Sequence, residues 1–214
     1  MKLSKVFFLF ATILIFTSCS NDKALRAKAN MLAHKFIITD GHIDTPWKLS
    51  KNYEDISLRT KTGDFDYIRA KEGGLDVPFM AVYIPSSYLE TGGAKEKADS
   101  LIDMVEQIAA KDPDKFEIAY SLADANRIFK EGKVALPMGM ENGAGIEDDI
   151  SNLKHFYDRG IRYITLTHSK DNLICDSSYD ESDDTWGGLS PYGRKVVKEM
   201  NRLGIMVDIS HVTD

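Results

Sequence analysis

The chain has 214 residues, enough for one sizeable core and too few for two ordinary domains with linkers. Its net charge is −6 and its pI near 5.4, and no Lys/Arg cluster forms a phosphate-binding stripe, so no nucleic-acid partner is expected. With 43% hydrophobic residues and only 6 prolines, the composition is that of a folded globular protein.

Residues 1–18 read as a lipoprotein signal peptide. Lys2 and Lys5 give a positive start, and Val6 to Phe16 is apolar except for Thr12. This run is shorter than the ~20 residues a bilayer-spanning helix needs. It ends Phe16-Thr17-Ser18-Cys19, which resembles a bacterial lipobox and predicts a lipid-modified Cys19, with export and anchoring to the cell envelope. An ordinary signal peptide with an incidental cysteine is the alternative. Residues 19–35 then form a tether and N-terminal segment, beginning with the polar Ser20 to Asp22. Cys175 is expected to be a free thiol, since two cysteines define no disulfide framework.

From about residue 36 strand-like and helix-like segments alternate. Phe36 to Thr39 is a short apolar run leading into Asp40-Gly41-His42, and residues 45–76 read as a long loop with short helices. Phe79 to Ile84 is a strand. Ala98, Leu101, Ile102, Val105, Ile108 and Ala109 recur at helical spacing. Phe116 to Tyr120 is a short strand, and Ser121 with Asp124 forms a capping-box start to a helix that Gly132 ends. Val134 to Met140 is the clearest parallel strand, being almost continuously apolar.

Asp148 and Asp149 precede a helix whose buried stripe is Ile150, Leu153, Phe156 and Tyr157. Tyr163 to Thr167 is a strand ending at His168. Ser190-Pro191 opens a helix with Val196, Val197, Met200 and Leu203 on its apolar face, and Gly204 stops it. Met206 to Ser210 is the last strand. This order implies a parallel sheet covered by helices. About six strands are counted, whereas a closed barrel takes eight strands and ~250 residues.

The chemistry-bearing residues gather at strand ends. His42 and Asp44, two apart on a strand, can face the same way and chelate one ion. Glu141 closes the run from Val134 and can bridge two ions, and His211 closes the run from Ile205 as a nitrogen donor to a second. A mixed His/carboxylate set suits Zn²⁺ ahead of Mn²⁺ or Fe²⁺. Two such ions ~3.5–4 Å apart generate hydroxide from a bridging water and polarise a carbonyl. His168 occupies an equivalent place, as a further ligand or as a hydrogen-bond donor to substrate. Each residue also has a structural alternative: a capping Asp beside a surface His, a Glu opening a solvated loop, a hydrogen-bonded core His. His34 and His155 are read as helix-surface residues, Trp47 and Trp186 as pocket-lining or core. Asp180 to Asp184 is read as a solvated loop.

Six segments together resemble one family, in its order: Asp40-Gly41-His42-Ile43-Asp44, Gly139-Met140-Glu141-Asn142-Gly143, Tyr163 to His168, Gly188-Leu189-Ser190-Pro191-Tyr192-Gly193, Met200 to Gly204, and Asp208-Ile209-Ser210-His211-Val212. The family is membrane dipeptidase (renal dipeptidase, peptidase family M19), and the likeness runs from about residue 36 to the last residue. It implies a (β/α)8 TIM-type barrel of the metallo-dependent hydrolase kind that hydrolyses dipeptides, often with a D-residue at the C-terminal side. It further implies that His42 and Asp44 bind a first zinc, that Glu141 bridges two, and that His211 binds the second. His168 would contact substrate and steady the tetrahedral intermediate, and a metal-bridging hydroxide would be the nucleophile.

Asn142 stands where the family often has glycine. The family's second zinc-binding His, its substrate-binding Arg and its catalytic Asp lie beyond the position of His211, and residues 36–214 hold none of them. The expectation is therefore a barrel cut off before its last strands, inactive as a 214-residue chain. The alternative is a non-catalytic lipoprotein with a partial metal- or peptide-binding site. Expected partners are a dipeptide and the membrane, with a homodimer left open. Barrel hydrolases of cyclic amides commonly carry His-x-His on the first strand, which residues 42–44 do not match.

Overall fold

A computed structural model of the chain describes residues 22–181 and 185–214. Cys19 and the signal segment lie outside the described residues, as do residues 182–184 of the acidic stretch. A helix over residues 22–35 (α1) comes first, docked by Ala33 against Gly74 and by His34 Nε2 at 3.0 Å from the Lys71 carbonyl oxygen. Among the described residues no helix is long and apolar enough to cross a membrane.

Among the described residues seven strands follow: β1 (Thr39–Ile43), β2 (Val77–Tyr83), β3 (Phe116–Ile118), β4 (Val134–Leu136), β5 (Met138–Glu141), β6 (Ile161–Thr165) and β7 (Met206–Asp208). Five form one parallel sheet in the order β1-β2-β5-β6-β7, and β3 pairs with β4 beside it. The expected helical barrel pattern is present as a curled half-barrel whose edges, among the described residues, are β1 and β7. Parallel strands buried on both faces must be nearly continuous hydrophobic runs. That is why strands are expected over residues 79–84 and 134–140, where the structure has β2 and the pair β4 and β5.

The run from Val134 differs from the single strand expected. Pro137 has no N–H to give a ladder, so it separates β4 from β5, and each side takes a different partner. The region 45–76 contains two helices, α2 (Thr45–Lys51) and α3 (Tyr67–Gly73). The last strand stops at Asp208, because Asp208 Oδ1 accepts from the Ser210 N–H at 3.0 Å and turns the chain.

The remaining helices are α4 (Tyr88–Thr91), α5 (Ala94–Lys111), α6 (Leu122–Lys130), α7 (Asn152–Asp158) and α8 (Pro191–Leu203). On α5, Ala98, Leu101, Ile102, Val105 and Ile108 are all buried, as the helical spacing predicts. Burying a side chain the size of Leu or Ile contributes roughly 1.5–3 kcal/mol, so this stripe holds α5 on the sheet. Ser121 and Ser190 cap α6 and α8, each accepting from the N–H three residues on. Gly204 ends α8 at φ 83°, a left-handed position that costs glycine nothing. Cys175 is a buried free thiol, and burial pushes it up to about 12.

Candidate metal centre

All five sheet strands are parallel, so their C-terminal ends lie at one rim of the half-barrel. This is where such folds assemble active sites. His42 sits in the last turn of β1, and Glu141 is the final residue of β5, directly across from Tyr83. His168 lies three residues beyond β6 and His211 three beyond β7. Their loops are fastened together: Ser177 Oγ donates to the His168 carbonyl at 2.5 Å, and Ser178 N–H donates to that of His211 at 3.0 Å.

Asp44 reaches His42 by a route other than strand alternation. The pairing register of β1 shifts between Asp40 and Ile43, and Asp44 lies just past the strand at the N-cap position of α2. It makes no side-chain cap hydrogen bond. Its carboxylate turns instead to within 3.4 Å of His42 Nε2. The capping alternative is thereby set aside by where the side chain points.

Glu141 is buried and divides its two oxygens between two groups of donors. Oε2 lies 3.4 Å from His42 Nε2, while Oε1 lies 3.3 Å from His211 Nε2 and 3.6 Å from His168 Nε2. Two trios result, His42–Asp44–Glu141 and Glu141–His168–His211, each with its donor atoms within 4.8 Å of one another. Donors ~2.0–2.2 Å from a common ion at tetrahedral angles stand about 3.3–3.6 Å apart. The observed spacings match that distance and exceed ordinary hydrogen bonds. Imidazole and carboxylate are the donors zinc takes, so these residues fit a metal pair sharing Glu141.

The electrostatics follow from the same packing. The Glu141 carboxylate beside His42 holds that imidazole above its usual range, against an opposing effect of burial. Burial pushes the Glu141 carboxyl up, but the His42 contact and the charges of His168 and His211 bring it below the ordinary carboxylate value. His168 is lowered by burial, so its ring favours the neutral form that can bind an ion or donate one hydrogen bond. Nδ1 of His168 and of His211 is buried without a hydrogen-bond partner among the described residues.

Asn142 explains its own departure from the usual glycine. It has φ 80°, a left-handed value rare for residues with a side chain. Three hydrogen bonds hold it there: Nδ2 donates to the Ile84 carbonyl, and Oδ1 accepts from Ala144 N–H and from Asn172 Nδ2.

The sequence reading passed over Tyr163, whose hydroxyl lies 2.7 Å from His42 Nδ1. Its period-2 relation to Thr165 marked it as facing the barrel interior with Glu141's neighbours. Of the residues left without a role, His155 Nε2 is 2.7 Å from Asp99 in a network with Arg159. Asp180 is held inside its loop by Lys170 and by the Asp171 N–H. Trp47 packs edge-on against Tyr83 at 5.1 Å and lines a cavity of about 590 Å³ that also reaches His42 and Asp44. Trp186 is partly exposed and donates through Nε1 to the Asn172 carbonyl.

Comparison with known proteins agrees with this geometry. The family model for membrane dipeptidase (peptidase family M19) matches residues 26–214. An uncharacterized dipeptidase of Schizosaccharomyces pombe is 35% identical over 201 residues, covering 87% of this chain and 49% of the relative. The crystal structure of a probable dipeptidase, PvdM, from Pseudomonas aeruginosa superposes with a TM-score of 0.79 at 26% identity, over 89% of this chain and 50% of that one. A metallopeptidase from Rhodobacter sphaeroides, liganded with a phosphinate mimic of the dipeptide L-Ala-D-Ala, superposes at 0.71 with 25% identity, over 84% of this chain and 60% of that one. The chain thus spans about half the length of the curated relatives it matches.

Proposed function

The chain belongs to the membrane dipeptidase family, peptidase family M19, and from that membership we propose that it serves a zinc-dependent dipeptidase accepting a D-residue at the C-terminal side. One observation supports this above the others: Glu141 offers separate oxygens to two donor trios at the C-terminal rim. In that reading His42, Asp44 and Glu141 hold one zinc, and Glu141 and His211 contribute to the second. Bound zinc would polarise the scissile carbonyl and make water a nucleophile near neutral pH.

The chain's own residues prepare the rest. Asp44 and Glu141 bring two negative charges to a site meant for two divalent cations, leaving it net positive and matched to a dipeptide carboxylate and a developing oxyanion. His168, beside Tyr83 with ring centroids 4.9 Å apart, is placed to donate to that oxyanion as a neutral imidazole. Its carbonyl anchor to Ser177 holds its position.

The test is release of D-Ala from L-Ala-D-Ala by zinc-loaded protein, with Glu141→Gln as the matched control. Release by a full-length protein carrying residues 1–214, and loss in its Glu141→Gln variant, is expected. A folded, zinc-loaded protein that releases none favours a non-catalytic binding lipoprotein. We also place the protein at the cell envelope through a lipidated Cys19. Incorporation of labelled fatty acid that Cys19→Ser abolishes is the expected result, and unchanged membrane association of that variant would sink this part.

A further inference from the structure

We propose that Tyr163 is the positioning residue for the His42 side of the centre, its hydroxyl oxygen accepting the Nδ1–H of His42 so that the Nε2 lone pair faces Asp44 and Glu141. The inference rests on the metal reading of the same site. His42 Nδ1 lies 2.7 Å from the Tyr163 hydroxyl, and Nε2 lies 3.4 Å from both Asp44 and Glu141. A neutral imidazole has one N–H, so an Nε2 that binds an ion leaves the proton on Nδ1. Partners of that kind fix both the tautomer and the ring plane of metal-binding histidines.

The placement of Tyr163 is built into the sheet. It comes from β6, three strands across from β1 in the order β1-β2-β5-β6-β7. Its ring crosses β5 over Gly139, where a Cβ would stand 2.0 Å from two ring carbons. Phe79 of β2 flanks it with ring centroids 5.6 Å apart. Tyr163 is buried, at 7% exposure. A rigid, seated side chain of this length carries the position of β6 to a ligand on the opposite edge.

Zinc affinity by chelator competition separates this role from packing, using Tyr163→Phe in two backgrounds. In His211→Ala protein, which keeps His42, Asp44 and Glu141, Tyr163→Phe should weaken zinc roughly 10–100-fold, the range for loss of such a partner. In His42→Ala protein, which keeps Glu141, His168 and His211, the same change should leave affinity unaltered. Equal loss in both backgrounds, or none in the first, overturns the inference while zinc binding itself survives. Wild-type protein that takes up no zinc overturns the metal reading as well. Should Tyr163→Phe fail to fold, ring ¹⁵N spectra of zinc-loaded wild type decide the matter. A proton on His42 Nδ1 is expected, and one on Nε2 refutes the inference.

Discussion

Asn142 Nδ2 donates to the carbonyl oxygen of Ile84 at 3.0 Å, tying the residue after β5 to the residue after β2. The same side chain accepts from Ala144 N–H and Asn172 Nδ2. Replacement by Ala removes all three bonds and keeps the unfavourable φ of 80°. Asn142→Ala should cost about 2–4 kcal/mol, read as a lower urea midpoint at unchanged slope. Asn142→Gly keeps only the backbone freedom and should fall between. Wild-type stability in both variants would contradict the account.

Gly139 tests the seat of Tyr163 by sign. In a strand with free space, Gly→Ala is favourable by roughly 0.5–1 kcal/mol. At this position the added Cβ would meet the Tyr163 ring at 2.0 Å, so Gly139→Ala should destabilise by about 1–3 kcal/mol. A stabilised variant in thermal unfolding would show that the ring moves away freely.

Sharing of Glu141 makes its loss different from the loss of any histidine. Glu141→Gln should empty both trios of zinc after dialysis, while His42→Ala should empty one and His211→Ala the other. The zinc content of the three purified variants checks this directly. Equal residual zinc in all three would mean the carboxylate is not shared.

The ionic network around Asp99 sets an acid limit on stability. Burial raises the Asp99 carboxyl, but hydrogen bonds from Lys95, His155 and Arg159 more than offset this and hold it below its ordinary value. A carboxyl depressed in the folded state stabilises above its unfolded pKa, ~3.9, and loses that contribution as pH falls through the folded value. Melting temperature should therefore drop below about pH 4 in wild type, and less steeply in Asp99→Asn. Parallel curves would remove Asp99 from the explanation.

What the sequence made visible follows from period and position. The stripe of α5, the caps at Ser121 and Ser190 and the stop at Gly204 are local chemistry, and all are present in the structure. The candidate ligand residues were legible because they lie at the ends of apolar runs. Three features were not. The division at Pro137 depends on which neighbours the two halves find. The approach of Asp44 depends on a register shift in β1. The Tyr163–His42 contact joins residues 121 apart in the chain, a distance no local pattern spans.

The order β1-β2-β5-β6-β7 puts Glu141 on the middle strand and brings His42 and His211 in from the two outer margins. Strands ~4.8 Å apart would leave those margins ~19 Å apart in a flat sheet. A metal pair gripped by all three residues is thus a cross-brace between both margins and the centre. Loading it opposes flattening of the sheet, so the same ions proposed for chemistry would also hold these five strands in their curl.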